Sequence, residues 1–107
     1  MNQCTLEATP EFALVRVSGE VDLSWSQQVR KTILEALGKA KAVGVELSNV
    51  SYMDSSGIAA LVEGFQNARG KGQKFALVAA SPPVRSVLKL ARLDKVFPMV
   101  DTIEAAR

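Results

Sequence analysis

Ser51-Tyr52-Met53-Asp54-Ser55-Ser56-Gly57-Ile58-Ala59-Ala60-Leu61 marks the point where an apolar extended run gives way to helical spacing. Upstream, Val43–Leu47 is short and rich in β-branched residues, the pattern of a strand buried on both faces. Downstream, Ile58, Leu61, Val62 and Phe65 recur on one helical face, so a helix is expected from about Ser56 to Ala68. A strand followed at once by a helix is half of a parallel crossover unit, and that reading sets the fold.

The pattern repeats on either side. Val29, Ile33, Leu34 and Leu37 give a helix that Ser24 or Ser26 can cap and that runs to about Lys39, where Gly38 weakens its end. Phe75–Ala79 reads as another buried strand. Ser81-Pro82-Pro83 is a helix start, with Ser81 as cap and proline where no N–H is required. Val84, Val87, Leu88 and Ala91 form the inner face of that helix. Val96–Val100 is a last strand, confined to a sheet edge by Pro98, and Thr102 caps a terminal stub. At the other end, Cys4–Ala8 and Ala13–Ser18 pair as a hairpin around Thr9–Phe12, and Gly19-Glu20-Val21-Asp22 ends the second strand. After the hairpin, strands alternate with helices. The expectation is a single α/β domain with a mixed, mostly parallel sheet of about five strands and four helices packed largely on one side.

Composition removes several functions. The 107 residues carry a formal charge of +2, with Lys and Arg scattered along the chain, so no nucleic-acid partner is expected. No histidine and a single cysteine, Cys4, exclude His-dependent triads, internal disulfides and Cys-based zinc sites. No apolar run approaches the ~20 residues of a membrane span, so no membrane insertion is expected. The start Met1-Asn2-Gln3-Cys4 lacks a basic segment followed by an apolar one, and a cytoplasmic location is expected. Glu20, Asp22, Glu46 and Asp54 fall near strand ends, but their spacing fits no calcium loop and no metal or cofactor is expected. Trp25 reads as a half-buried packing residue or a contact anchor.

The Asp54-Ser55-Ser56-Gly57 turn carries the functional question. A serine at the mouth of a helix meets unpaired backbone N–H groups and the positive end of the helix dipole. It can cap the helix, and it can equally receive and hold a phosphate. Two consecutive serines leave one spare, because only one can cap. Gly57, lacking a Cβ, lets a neighbouring group come close. A serine nucleophile would need a base, and neither Gly-x-Ser-x-Gly nor Ser-x-x-Lys is present, so no intrinsic catalysis is expected.

Gly19-Glu20-Val21-Asp22 together with Val45-Glu46-Leu47-Ser48-Asn49-Val50-Ser51-Tyr52-Met53-Asp54-Ser55-Ser56-Gly57 resembles the STAS domain of bacterial anti-sigma factor antagonists, and the likeness runs over almost the whole chain. Glu46 stands where that family usually has Asp or Asn. The resemblance implies a partner-switching protein. Unphosphorylated, it would bind an anti-sigma factor that is also a serine kinase and so free a sigma factor. The kinase would phosphorylate Ser55 and a phosphatase would reverse the change. Asp22, Asp54, Ser55, Ser56 and Gly57 would form the partner-binding site. STAS domains also serve as subunits of lipid-transport ABC complexes, which implies an alternative role of docking on the ATPase.

Overall fold

The computed structural model describes residues 2–107, which form five strands and four helices. In chain order these are β1 (Gln3–Ala8), β2 (Ala13–Val21), α1 (Leu23–Leu37), β3 (Ala42–Met53), α2 (Ser55–Gly70), β4 (Lys74–Val78), α3 (Pro82–Leu90), β5 (Met99–Val100) and α4 (Ile103–Ala106). The strands lie in one sheet in the order β1-β2-β3-β4-β5, with β1 antiparallel to β2 and the others parallel.

That order dictates where the helices go. Each crossover steps to the next strand in the same direction, and right-handed connections then put α1, α2 and α3 on one face. There Val15, Val17, Val43, Val45, Leu47 and Leu77 meet Val29 and Ile33 of α1, Leu61 of α2, and Val84 and Leu88 of α3, all essentially inaccessible to water. The opposite face is covered in part. Phe12, Leu14, Ala42, Ala76 and Val78 pack under Ala106 of α4, while the neighbouring row Thr5–Arg16–Glu46 stays polar and open.

Two strands run further than their sequence suggests. The Gly19-Glu20-Val21 stretch does not end β2, which continues to Val21, and β3 continues beyond Leu47 to Met53. The register shifts between Arg16 and Ser18 and again between Gly19 and Glu20, and Gly19 adopts φ +90°. A glycine in that conformation absorbs an irregularity in the ladder, so pairing resumes instead of stopping. Apolar patterning is lost over Ser48–Met53 because only Val50 and Met53 point inward there.

The caps differ from expectation as well. Asp22, not Ser24 or Ser26, caps α1. Ser81 begins α3 but makes no capping bond; its buried hydroxyl donates 2.6 Å to the Val50 carbonyl, satisfying an acceptor that the irregular end of β3 leaves over. Ala91 lies just past the end of α3 and is exposed. The last strand shrinks to Met99–Val100. Gly72, one residue past the Lys71 C-cap of α2, adopts φ +69°, and Thr102 caps α4 through Ala105 N–H as its sequence context implies.

Candidate functional site

Adjacent parallel strands deliver adjacent helices, so α1 and α2 start side by side at the same end of the sheet. Val21 pairs with Met53, and the Asp54 N–H donates 3.1 Å to the Val21 carbonyl. The two helix mouths are built alike. Asp22 Oδ1 accepts from the Ser24 N–H at 3.0 Å and the Ser24 hydroxyl at 2.6 Å. Asp54 Oδ1 accepts from the Ser56 N–H at 2.9 Å, the Ser56 hydroxyl at 2.5 Å and the Gly57 N–H at 3.4 Å. The cap is therefore the acid, and neither serine takes that role. The Ser56 hydroxyl, foremost among these donors, holds the Asp54 carboxyl below the usual carboxylate range.

This division of labour separates the two serines. Ser56 is half-buried and its proton is committed to Asp54. Ser55 is exposed at the first helical position, and among the described residues its hydroxyl has no hydrogen-bond partner. Gly57 is buried and supports the site from beneath. A Cβ there would stand 2.7 Å from Met53 Cγ and 2.9 Å from Val21 Cγ1, so the missing side chain lets α2 press onto both strand ends.

Beyond the turn, a groove of about 200 Å³ runs between α1 and α2, lined by Leu23, Gln27, Arg30, Ser56, Ala59 and Glu63 among others. A two-pronged ion pair crosses it, Arg30 Nε to Glu63 Oε1 and Arg30 Nη2 to Glu63 Oε2, each 2.8 Å. The Asn67 amide donates to the Glu63 carbonyl and extends this polar edge. Two exposed apolar side chains flank the turn: Leu23, within the Gly19–Ser24 loop expected on the binding face, and Tyr52, which sequence reasoning missed. Leu23 occupies on α1 the place of Ser55 on α2 and is 73% exposed, and Tyr52, which pairs with Glu20, is 50% exposed. Their signal was an apolar residue directly after the capping Asp22 and an aromatic one two residues before the capping Asp54. Trp25 packs against the core and is half-buried. Cys4 is half-buried on β1, and desolvation pushes its thiol up, which makes it a poor nucleophile.

Glu20, Asp22, Asp54 and Glu63 gather at this end of a chain whose net charge is +2, with Arg30 as the near cation. Glu46 is on the open sheet face, away from the helix mouths. Among the described residues no three acidic or thiol groups come together as a metal site, and no helix is long and apolar enough to cross a membrane.

This mixed five-stranded sheet with its four helices is a fold already seen in anti-sigma factor antagonists. The STAS domain family model matches residues 3–106, and the chain belongs to that family. It is 33% identical over 101 residues to the anti-sigma F factor antagonist of Paenibacillus polymyxa, covering 92% of this chain and 86% of the relative. Among solved structures, the anti-sigma factor antagonist SpoIIAA in its unphosphorylated form superposes with a TM-score of 0.82 at 27% identity, over 97% of this chain and 92% of the other. The Bacillus cell fate determinant SpoIIAA in its phosphorylated form gives a TM-score of 0.76 at 27% identity, over 97% and 96% of the two chains. The general role of anti-sigma factor antagonist is the one these relatives share.

Proposed function

We propose that this protein is an anti-sigma factor antagonist switched by phosphorylation of Ser55. In the unphosphorylated state it binds an anti-sigma factor that is also a serine kinase, and a sigma factor is released. The kinase transfers phosphate from ATP to Ser55, the complex dissociates, and a phosphatase resets the site. The protein itself acts as a binding module, not a catalyst.

The observation that carries this reading is the unequal state of the two serines. The Ser55 hydroxyl is exposed and free, whereas Ser56 is tied to Asp54 at 2.5 Å. A phosphate on Ser55 adds about −1.5 to −2 charges and three acceptor oxygens. The start of α2 partly offsets that charge, so the domain stays folded. A docked partner meets the new charge next to Asp54 and Asp22 in an interface from which water has been excluded. A loss of ~3 kcal/mol there weakens binding more than a hundredfold.

The test is incubation with the cognate kinase and ATP followed by peptide mass spectrometry. One phosphate on Ser55 is expected. Phosphate on Ser56 or elsewhere, or none, overturns the assignment, as does recovery of a transport ATPase in place of an anti-sigma factor as the stable partner.

A further inference from the structure

The far end of the sheet from Ser55 has an unfinished edge. β4 pairs with β5 only at Leu77–Met99 and Val78–Val100. On that side the Leu77 N–H donates 2.9 Å to the Pro98 carbonyl, and the Ala79 N–H donates 2.8 Å to the Val100 carbonyl. The next rung toward the start of β4 would be Phe75, whose N–H and C=O face the same way as those of Leu77. Its carbonyl would need an N–H from residue 98, and proline has none. Before Pro98 the chain turns away, burying Phe97 against Phe65 and Phe75 at ring-centre distances of 5.3 and 6.5 Å. Among the described residues nothing pairs the outward N–H and C=O of Phe75.

A cavity of about 270 Å³ occupies the place the absent strand would fill. Phe65 and Phe75 wall it on the layer of α2, and Ala105 and Ala106 wall it on the layer of α4, with Pro98 at one end. It is thus a slot for an extended chain with apolar atoms on both sides and an unpaired backbone rung at its floor. At ~3.3 Å per residue, Lys74–Ala76 offers about 10 Å of edge.

The rim fixes the chemistry of the occupant. Arg69 stacks over Phe65 at 5.8 Å, Lys71 follows it at the end of α2, and Lys74 lines the slot. Neither Arg69 nor Lys71 takes part in an ion pair among the described residues, and the Lys74 ammonium donates 3.2 Å to a main-chain oxygen of Arg107. Nearby Lys39, Lys41 and Arg107 are already matched by Glu35, Glu11 and Glu104. We infer that the Lys74–Ala76 edge of β4 binds an extended segment of a partner protein, apolar at its centre and acidic at its flanks, by strand addition. This surface is independent of the Ser55 site and of the switching proposed for it.

The probe is the peptide acetyl-Asp-Glu-Val-Ile-Val-Glu-Asp-amide, titrated into the intact ¹⁵N-labelled protein, with a control in which lysines replace its four acids. In the free protein the Phe75 amide exchanges with solvent faster than that of Leu77. The acidic peptide shifts and protects Phe75 and binds about tenfold tighter than the lysine control. Lys74→Glu, which alters an exposed side chain, weakens that preference while leaving the spectrum of the folded domain intact. Three results would overturn the inference: a Phe75 amide already as protected as Leu77, no Phe75 shift with millimolar peptide, or equal binding of both peptides. Phe75 protection that grows with protein concentration alone would overturn it too, by assigning the edge to a second copy of the chain.

Discussion

Gly57→Ala probes the joint between fold and site. The added methyl meets Met53 Cγ at 2.7 Å and Val21 Cγ1 at 2.9 Å, both closer than real Cβ contacts come. Met53 can turn its flexible chain aside, but Val21 is β-branched, fully buried and fixed by its strand. Overpacking of this kind costs about 1–3 kcal/mol. Against it stands the helix preference of alanine over glycine, at most about 1 kcal/mol. The net expectation is a destabilisation of about 1–2 kcal/mol, or a loss of about 0.5–1 M in the urea midpoint at an ordinary slope. Gly70→Ala, where no heavy atom lies within 4 Å of the new Cβ, is the matched control and should be neutral or stabilised. Val21→Ala should relieve part of the clash, so the Gly57→Ala and Val21→Ala effects should be less than additive. Equal or greater stability for Gly57→Ala than for wild type, by urea unfolding, would refute the close-packing argument.

Ser55→Ala should unfold within about 0.5 kcal/mol of wild type, because its hydroxyl makes no capping bond, and calorimetric titration should show undiminished binding to the anti-sigma factor. Ser55→Asp should fold equally well, since an acid suits the first turn of a helix, yet bind at least tenfold more weakly. Asp54→Ala should cost about 1–2 kcal/mol in thermal or urea unfolding by removing the cap from Ser56 and Gly57. Acid should act on the same group. Asp54 binds its proton less readily folded than unfolded, so its contribution is complete above the ordinary carboxylate range and is lost as pH falls through the depressed folded value. An NMR titration placing the Asp54 carboxyl at or above the usual Asp value would contradict this. A double-mutant cycle on Arg30 and Glu63 should return about 0.5–1 kcal/mol, the modest coupling of a two-pronged pair whose side chains are 40% and 39% exposed.

Much of this molecule follows from local chemistry. The buried runs around Val45 and Leu77 and the one-sided helices around Ile33, Leu61 and Leu88 specify a crossover fold whatever surrounds them, because period and burial are properties of the segments themselves. The serine turn is equally legible, since an acid, two serines and a glycine between a strand and a helix leave few local geometries open. Where β2 and β3 end was not legible. Gly19 looks like a strand breaker in isolation, and only pairing with the far half of β3 turns it into a bulge. Ser81 has the sequence of a cap, but the Val50 carbonyl, thirty-one residues away, claims its hydroxyl.

The sequence by itself determined the class of fold, the place of the serine turn and the absence of histidine chemistry. Tertiary structure decided how the turn is seated. The sequence lets either serine cap the helix, but the cap is Asp54, with Ser55 next to it and Ser56 two residues on. Asp54 takes its cap bonds from Ser56 and Gly57, two and three residues on, while β2 and β3, standing side by side, seat Gly57 against Val21 and Met53. Ser55 is then left facing solvent beside Leu23 and Tyr52. The hydrogen bonds of the cap are local, but the packing of Gly57 on Val21 is long-range, set by which strands stand side by side, and no window of sequence around the turn contains Val21.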